Sequence, residues 1–398
     1  MNNTDNKTDN KSVISLAVGH LGIDSYSGFL NPIMPFIAYK LGISLAIATA
    51  IISVSHLCSS IIQPFFGYVS DILKKRFFIV WGMIIASVFL SLTGIVDNPL
   101  ALTFCLAMGS LGVAFYHPQA TSFVKLHAKD NSTKWMSLFL AGGTVGFSLG
   151  PLISSSVTSR FGLEGLPFLM FYGLVIAFLI FKFVPKISTA DSFDKFKEKF
   201  SSQTFFNDFL ISIKDCFTNK DFQILFAIAV AKCLTVSSFC VFLPFLWQKI
   251  GYDVTKIGFL VFLFVSAGAL ATVLSSFIEK YIGALKIYYL SMLTTLPLTL
   301  IFLFTYNVNS FIAELSVVLV GFFALLAIPI NMIMAQNSVP KHRGLVSGFI
   351  GGFSWGIVGL LLPLTGFIAE KIGIPTLLIA ISLVPFVTAF FVKKLNIK

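Results

Sequence analysis

The first long apolar stretch of the chain contains a histidine and an acid four residues apart, His20 and Asp24. Residues at this spacing share one face of a helix, so the imidazole could influence the protonation of the carboxylate. In a helix that begins near Val13, Asp24 would lie ~16 Å deep, close to the middle of a ~30 Å hydrocarbon core. An ionisable side chain at that depth is costly unless it faces a partner or water, which favours a functional site. The alternative is a buried acid that only fixes helix packing through a hydrogen bond.

Other polar side chains lie within predicted apolar spans and could line a substrate cavity. His117 precedes Pro118 in the fourth span, where the proline invites a bend and the histidine could hold a proton or a polar substrate group. His56 lies near the midplane of the second span and could equally be a satisfied core histidine. Lys232, at a depth matching that of Asp24, needs a counter-charge or water, so it could pair with Asp24 or receive an anionic substrate. The candidate cavity residues are Asn31, His56, Gln63, His117, Gln119, Lys232, Asn331 and Trp355.

The composition is that of an integral membrane protein, which must hold these side chains on helices. The chain is 56% hydrophobic and 11% charged, whereas soluble proteins carry about 25% charged residues. Twelve segments are long enough to span a bilayer, and only helices satisfy their backbone groups in lipid at this hydropathy, so the predicted fold is all-α. These segments are roughly 13–38, 44–70, 77–95, 100–126, 134–158, 165–185, 223–249, 256–278, 286–305, 311–337, 344–368 and 374–392.

The basic residues predict the topology. With both termini in the cytoplasm, 22 of the 28 Lys and Arg residues lie inside, five lie outside, and Lys232 lies within a span. This asymmetry is typical of the positive-inside rule in an inner membrane, and it explains the basic excess without a nucleic-acid partner. The predicted organisation is a cytoplasmic tail, a six-helix bundle, a linker, a second six-helix bundle and a short cytoplasmic tail, over 1–12, 13–185, 186–222, 223–392 and 393–398.

The linker contains apolar residues at helical spacing among Lys, Asp and Glu, which predicts an amphipathic helix on the cytoplasmic membrane surface. A disordered linker with scattered phenylalanines is the alternative. The residues that give this pattern are Phe193, Phe196, Phe200, Phe209, Ile213 and Phe217.

The two halves of the chain match at a separation of about 208 residues. Asp24 and Lys232 are 208 apart, and so are Asp71, after the second span, and Glu279, after the eighth. Such a repeat predicts two pseudo-symmetric six-helix bundles, the architecture of transporters that rock two halves around a midplane site.

Two further patterns repeat between the halves and concern movement and packing. The acids and a basic residue near the cytoplasmic helix ends could form bridges that break as the bundles move, and this candidate gate comprises Gly67, Asp71, Arg76 and Glu279. Glycines at every fourth position let two helix backbones approach closely. These candidate packing residues are Gly142, Gly146, Gly150 and Pro151 in the fifth span and Gly348, Gly352 and Gly356 in the eleventh.

Several of these motifs together resemble a known family. The loop from Gly67 to Arg76 is similar to the signature loop of the major facilitator superfamily, although Lys74 stands where a glycine is usual. The His20…Asp24 pair, Ser59 to Tyr68, the Tyr116-His117-Pro118 motif and Gly142 to Leu152 resemble, in order and spacing, the fosmidomycin resistance protein family of bacterial exporters. The remaining similarity is Pro340-Lys341-His342-Arg343-Gly344 with Ser347-Gly348.

The resemblance implies the major facilitator fold and proton-coupled efflux of a small, possibly anionic organic compound. Asp24 would then carry the proton, and His20 would set how readily that carboxyl is protonated. The chain would be a monomer in the bacterial inner membrane, with a small molecule, protons and the lipid bilayer as partners and with no cofactor, metal site or enzymatic activity. The alternatives are proton-coupled uptake or export of a metabolite such as a siderophore or sugar, and a membrane protein that does not transport.

Overall fold

The computed structural model describes residues 9–62, 76–128, 132–185 and 203–395, and these residues form helices and short connections without a β-strand. Ten of the helical stretches in these ranges are long and apolar enough to cross a membrane, and two shorter apolar helices flank residues 63–75. The prediction of an all-α membrane protein is therefore confirmed. The chain forms two compact units, residues 1–43 with 54–202 and residues 44–53 with 203–398.

Unit 1 is organised around its first helix. Its helices are α1 (Asn10–Leu41), α3 (Phe77–Leu92), α4 (Pro99–Ala128), α5 (Ser132–Phe161) and α6 (Leu169–Phe183), with the second half of α2 (Leu45–Ser60). Helix α1 packs along α5 over most of its length and also contacts α3, α4 and α6. This position explains why α1 buries polar side chains such as Ser12, His20 and Ser25.

The contact between α1 and α5 depends on small residues in α5. A Cβ added at Gly142 would lie 2.7 Å from the Ala17 carbonyl oxygen, and one added at Gly146 or Gly150 would overlap the carbonyl oxygens of Leu21 and Ser25. The fourth-residue glycines of the fifth span therefore lie against the backbone of α1, which lets the two helices approach closely.

Unit 2 has helix α8 (Lys220–Lys249) at its centre. Helix α8 packs against α13, α15 and α16, and α9 packs against α12. The other helices of this unit are α7 (Gln203–Thr218), α9 (Val254–Ile282), α10 (Ala284–Leu293), α11 (Thr295–Thr305), α12 (Ser310–Leu326), α13 (Ile328–Ser338), α14 (Arg343–Gly348), α15 (Ser354–Ile372) and α16 (Ile374–Val392).

Three predicted spans of unit 2 are interrupted. The ninth breaks at Thr294, three residues before Pro297, and the tenth breaks at Ala327, two residues before Pro329. A proline has no backbone N–H and clashes with the preceding turn, so a regular helix cannot continue unbroken there. The eleventh span contains a π-helical turn at Phe349–Phe353, a feature frequent at functional sites.

The C-terminal part of the predicted linker forms helix α7, which packs inside unit 2. In α7, Cys216 is fully buried, and Ile213 and Phe217 pack against the same apolar cluster as Phe222 and Phe349. The apolar positions of the predicted amphipathic helix therefore contact protein at its C-terminal end. Phe193, Phe196 and Phe200 lie outside the described residues.

Candidate functional site

Asp24 lies at the meeting point of α1, α4 and α5, largely buried with 19% of its side chain exposed. Its Oδ2 atom is 3.3 Å from Nε2 of His20, one turn earlier on α1. Its Oδ1 atom is 3.2 Å from Nε2 of His117 on α4. We call these three side chains the acid–histidine cluster. Each carboxylate oxygen thus faces one imidazole nitrogen.

The backbone of α5 fixes the orientation of His20. Its Nδ1 atom lies 2.7 Å from the Phe139 carbonyl oxygen, and its ring stacks on the Phe139 ring with centroids 4.0 Å apart. A carbonyl oxygen can only accept a hydrogen bond, so Nδ1 of His20 carries a proton and donates it. The other nitrogen, Nε2, is therefore the one that faces Asp24.

Gly143, one turn beyond Phe139, leaves room for this arrangement. A Cβ at Gly143 would lie 2.5 Å from Cε1 and Nε2 of His20 and 2.6 Å from Oδ2 of Asp24. Because such contacts are shorter than van der Waals separation, a side chain here would displace the pair. Gly143 thus differs from Gly142 and Gly146, which lie against the backbone of α1.

The fourth span holds His117 in reach of Asp24. The neighbouring Tyr116 is fully buried and donates a hydrogen bond from its hydroxyl to the Leu16 carbonyl oxygen at 2.9 Å, which ties α4 to α1. The His117 ring meets the His20 ring edge-on at a centroid distance of 5.1 Å. With 21% of its side chain exposed, His117 is the most accessible member of the cluster.

The contact between His20 and Asp24 requires a proton or another cation between the two facing atoms. With its proton on Nδ1, a neutral His20 presents a lone pair from Nε2 to the carboxylate, and two lone pairs repel. The contact is attractive when a proton lies on Nε2 or on the carboxyl group, or when a cation lies between them. His117 adds no such requirement, because its neutral form can carry its proton on Nε2. The donor and acceptor atoms of the cluster are therefore arranged to suit a proton or another cation.

The other candidates of unit 1 differ in burial and in their contacts. The Gln119 side chain is fully buried, and neither of its amide atoms has a hydrogen-bond partner among the described residues. Asn31 and His56 are half-buried. Arg76 donates to the carbonyl oxygens of Phe181 at 2.8 Å and Val184 at 2.6 Å. It therefore neutralises the negative C-terminal end of α6.

In unit 2, Lys232 is held inside the unit by oxygen atoms. Its side chain is 2% exposed, and its ammonium group donates to Ser291 Oγ and, at 3.1 Å, to the Ala324 carbonyl oxygen. Ala324 lies in the last turn of α12, just before the break at Ala327, where helix carbonyls lose their usual donors. These partners satisfy the ammonium group within unit 2, so a substrate anion would have to displace one of them.

Asn331 is also satisfied inside unit 2. It is 2% exposed, donates from Nδ2 to the Leu225 carbonyl oxygen at 3.1 Å and accepts from the Tyr288 hydroxyl at 3.0 Å. It thereby joins α13 to α8 and α10, which is a structural role and differs from the expected place in a cavity. Trp355 and Glu279 are half-buried.

The structure places the eleventh-span glycines in different surroundings. A Cβ added at Gly348 would contact nothing within 4 Å, so the close packing expected there is absent among the described residues. Gly352 belongs to the π-helical turn, and Gly356 is buried in α15. Pro151 lies inside α5, where its ring would be 3.1 Å from a Cβ at Gly28. Gln63, Gly67 and Asp71 lie outside the described residues.

Two elements of the cluster escaped sequence reasoning: the Phe139 carbonyl group and Gly143. A backbone carbonyl group that accepts a hydrogen bond cannot be recognised in a sequence, because every residue has one. The Gly142-Gly143 pair was a usable signal, since consecutive helical residues are only ~100° apart and Gly143 therefore borders the helix contact made by Gly142.

Comparisons with known proteins identify the family. The sequence model described as Major Facilitator Superfamily matches residues 16–363. The chain is 25% identical to the fosmidomycin resistance protein of Escherichia coli (strain K12) over 365 residues, which cover 90% of this chain and 86% of that protein. It is 23% identical to the uncharacterised transporter YfnC of Bacillus subtilis (strain 168), covering 94% and 90% of the two chains.

Solved structures agree on the fold. The nucleoside transporter NupG is similar with a TM-score of 0.76 and 15% identity, covering 97% of this chain and 100% of that one. A bacterial homologue of the human lysosomal transporter Spinster is similar with a TM-score of 0.70 and 14% identity, covering 96% of each chain. The resemblance that the sequence motifs indicated is confirmed: the chain belongs to the major facilitator superfamily and is a multi-pass membrane transporter, not an enzyme.

Proposed function

We propose that this chain is a proton-coupled exporter of a small organic compound, and that the acid–histidine cluster carries the coupling proton. The observation that carries this proposal is the pair of atoms Nε2 of His20 and Oδ2 of Asp24, 3.3 Å apart, whose contact needs a proton or another cation between them. Asp24 would accept the proton, His20 would share it, and His117 would connect the pair to water.

Protonation of Asp24 would change how the surrounding side chains pack, because it decides whether the His20 contact is attractive. The described titratable neighbours are His20 on its own helix and His117 on α4, with Tyr116 close to His20. On α5 the groups beside the cluster are uncharged: Gly143 lies beside both His20 and Asp24, and the Phe139 carbonyl group accepts from His20. Loss of the proton would turn the His20 contact from attractive to repulsive. The expected response is a shift of α1 against α5, the helix pair that forms the main contact of unit 1.

The similarity to the fosmidomycin resistance protein supports export of a small anionic compound as the finer proposal. We propose that Asn31, His56 and His117, the partly exposed candidates of unit 1, line the substrate cavity, whereas Lys232 and Asn331 are satisfied inside unit 2. Both termini would lie in the cytoplasm of a bacterial cell, and the chain would act as a monomer.

Proton flux in proteoliposomes tests the proposal. Purified protein is reconstituted with a trapped pH-sensitive dye, and candidate compounds are added on one side, fosmidomycin first. Asp24→Asn is compared with wild type, and Asp97→Asn, in the exposed turn between α3 and α4, is the matched control. We expect a compound to move protons in wild type and in Asp97→Asn but not in Asp24→Asn.

Two outcomes contradict the proposal. Normal coupling in Asp24→Asn would make the acid structural. Substrate-driven proton movement in the same direction as the substrate, measured in oriented vesicles, would make the protein an uptake symporter, which is the alternative function.

A further inference from the structure

We propose that His20, Asp24 and His117 also form a binding site for a divalent transition-metal ion of the Zn²⁺ class. The proposal uses the side chains of the proposed proton site but does not depend on proton coupling. The sequence predicted no metal site, because His117 lies 93 residues from Asp24 and no short motif joins them.

The donor set is the first argument. Two imidazole nitrogens and one carboxylate are common ligands of catalytic zinc and of related divalent metals, with one coordination position left open. The three ligand atoms lie within 4.8 Å of one another, on two helices that Tyr116 ties together.

The distances are the second argument. Zinc bonds to nitrogen and oxygen are ~2.0–2.1 Å long, so two ligand atoms of a tetrahedral site are ~3.3 Å apart. The His20–Asp24 separation is 3.3 Å, to Oδ2, and the His117–Asp24 separation is 3.2 Å, to Oδ1. Each nitrogen–oxygen distance is close to this spacing, so an ion held by both histidines would be bound by the two carboxylate oxygens together, or by one of them after a small rotation of the carboxylate.

The orientation of His20 is the third argument. A metal-bound histidine usually donates its other ring N–H to a carbonyl or carboxylate group, which fixes the nitrogen that faces the metal. His20 makes this hydrogen bond with the Phe139 carbonyl oxygen at 2.7 Å. Its Nε2 lone pair therefore faces Asp24, where a cation would resolve the repulsion between the two acceptor atoms.

Access and space complete the argument. Gly143 leaves the volume beside Nε2 of His20 and Oδ2 of Asp24 free of a side chain. His117 and Asp24 keep 21% and 19% of their side chains exposed, so neither is fully enclosed by unit 1. The open fourth position would take water or an oxygen atom of a ligand.

Metal titration of the full-length protein tests the site. Tag-free protein in detergent, freed of metal with a chelator, is titrated with Zn²⁺ by calorimetry and with Co²⁺ by visible absorption. We expect one ion per chain. Because loss of a supporting group alone typically costs 10–100-fold in metal affinity, we expect His117→Ala and Asp24→Asn to lose at least ~100-fold. His342→Ala, outside the cluster, should bind like wild type.

A ligand swap guards against variants that only misfold. His117→Cys keeps a metal ligand, so it should retain Co²⁺ binding and add a thiolate charge-transfer band, which a merely structural histidine could not produce. The proposal is overturned if wild type shows no saturable binding of one ion, or if His117→Ala and Asp24→Asn bind as tightly as wild type.

The metal proposal and the proton proposal fail separately. Proton coupling that persists in chelator-treated vesicles, with no metal bound in the titration, removes the metal site alone. Metal binding by wild type together with normal coupling in Asp24→Asn removes the proton role alone.

Discussion

Replacing Gly143 by alanine separates the chemistry of the cluster from the stability of the helix pair around it. The added Cβ would lie 2.5 Å from Nε2 of His20 and 2.6 Å from Oδ2 of Asp24. Since an ordinary contact needs ~3.4 Å, one of these groups must move by ~0.9 Å, or α5 must move away from α1. A shift of that size breaks either the Phe139 hydrogen bond or the contact between His20 and Asp24.

The stability change should be small, while the change in coupling should be large. Overpacking costs about 1–3 kcal/mol, and alanine regains about 1 kcal/mol over glycine in a helix, so unfolding should change by at most about 2 kcal/mol. A hydrogen bond to a charged group is worth about 1.5–3 kcal/mol, so proton coupling at Gly143→Ala should fall by at least about 10-fold. The assays are thermal unfolding in detergent and substrate-driven proton flux in proteoliposomes.

Gly348→Ala is the matched control, because an added Cβ there has no neighbour within 4 Å and should leave coupling unchanged. The reasoning is refuted if Gly143→Ala unfolds at a changed temperature but couples like wild type. That result would mean that the cluster tolerates displacement, or that it does not carry the proton.

Other predictions concern stability and local order. Asn331→Ala should lower the free energy of unfolding by about 1–3 kcal/mol, because the Tyr288 hydroxyl and the Leu225 carbonyl group both lose a buried partner. Chemical denaturation measures this change, and an unchanged midpoint would contradict the prediction. Glu370→Ala should lower the free energy of unfolding by about 1 kcal/mol and speed amide exchange at the start of α2, because the Glu370 carboxylate accepts from the Ala46 N–H at 2.7 Å. Hydrogen exchange measures the faster exchange, with Glu164→Ala as the control. Gly146→Ala should destabilise unit 1, since its Cβ would overlap the Leu21 carbonyl oxygen; a melting temperature equal to that of wild type would show that α1 and α5 can separate at little cost.

The sequence predicted the spans well because hydropathy and helix length are local properties. It predicted that His20 and Asp24 meet, since four-residue spacing on a helix is fixed geometry. It did not predict that His117 completes the cluster, because that contact depends on the rotation of α4 against α1. Lys232 shows the same limit: its depth in the span follows from the sequence, but its partners, Ser291 and the Ala324 carbonyl group, lie on other helices whose packing the sequence does not give.

The repeat places different chemistry at matching positions of the two units. Asp24 contacts His117 on the fourth span of unit 1, and Lys232 contacts Ala324 on the corresponding span of unit 2. Lys232 follows Asp24 by 208 residues, and Ala324 follows His117 by 207. In unit 1 both partners are side chains that can change protonation. In unit 2 the lysine is held by a hydroxyl and a carbonyl oxygen, and neither of these partners titrates near neutral pH. In the proposed function, cation binding and release would therefore use the cluster of unit 1, and the transport cycle that they drive would include a movement of α1 against α4 or α5.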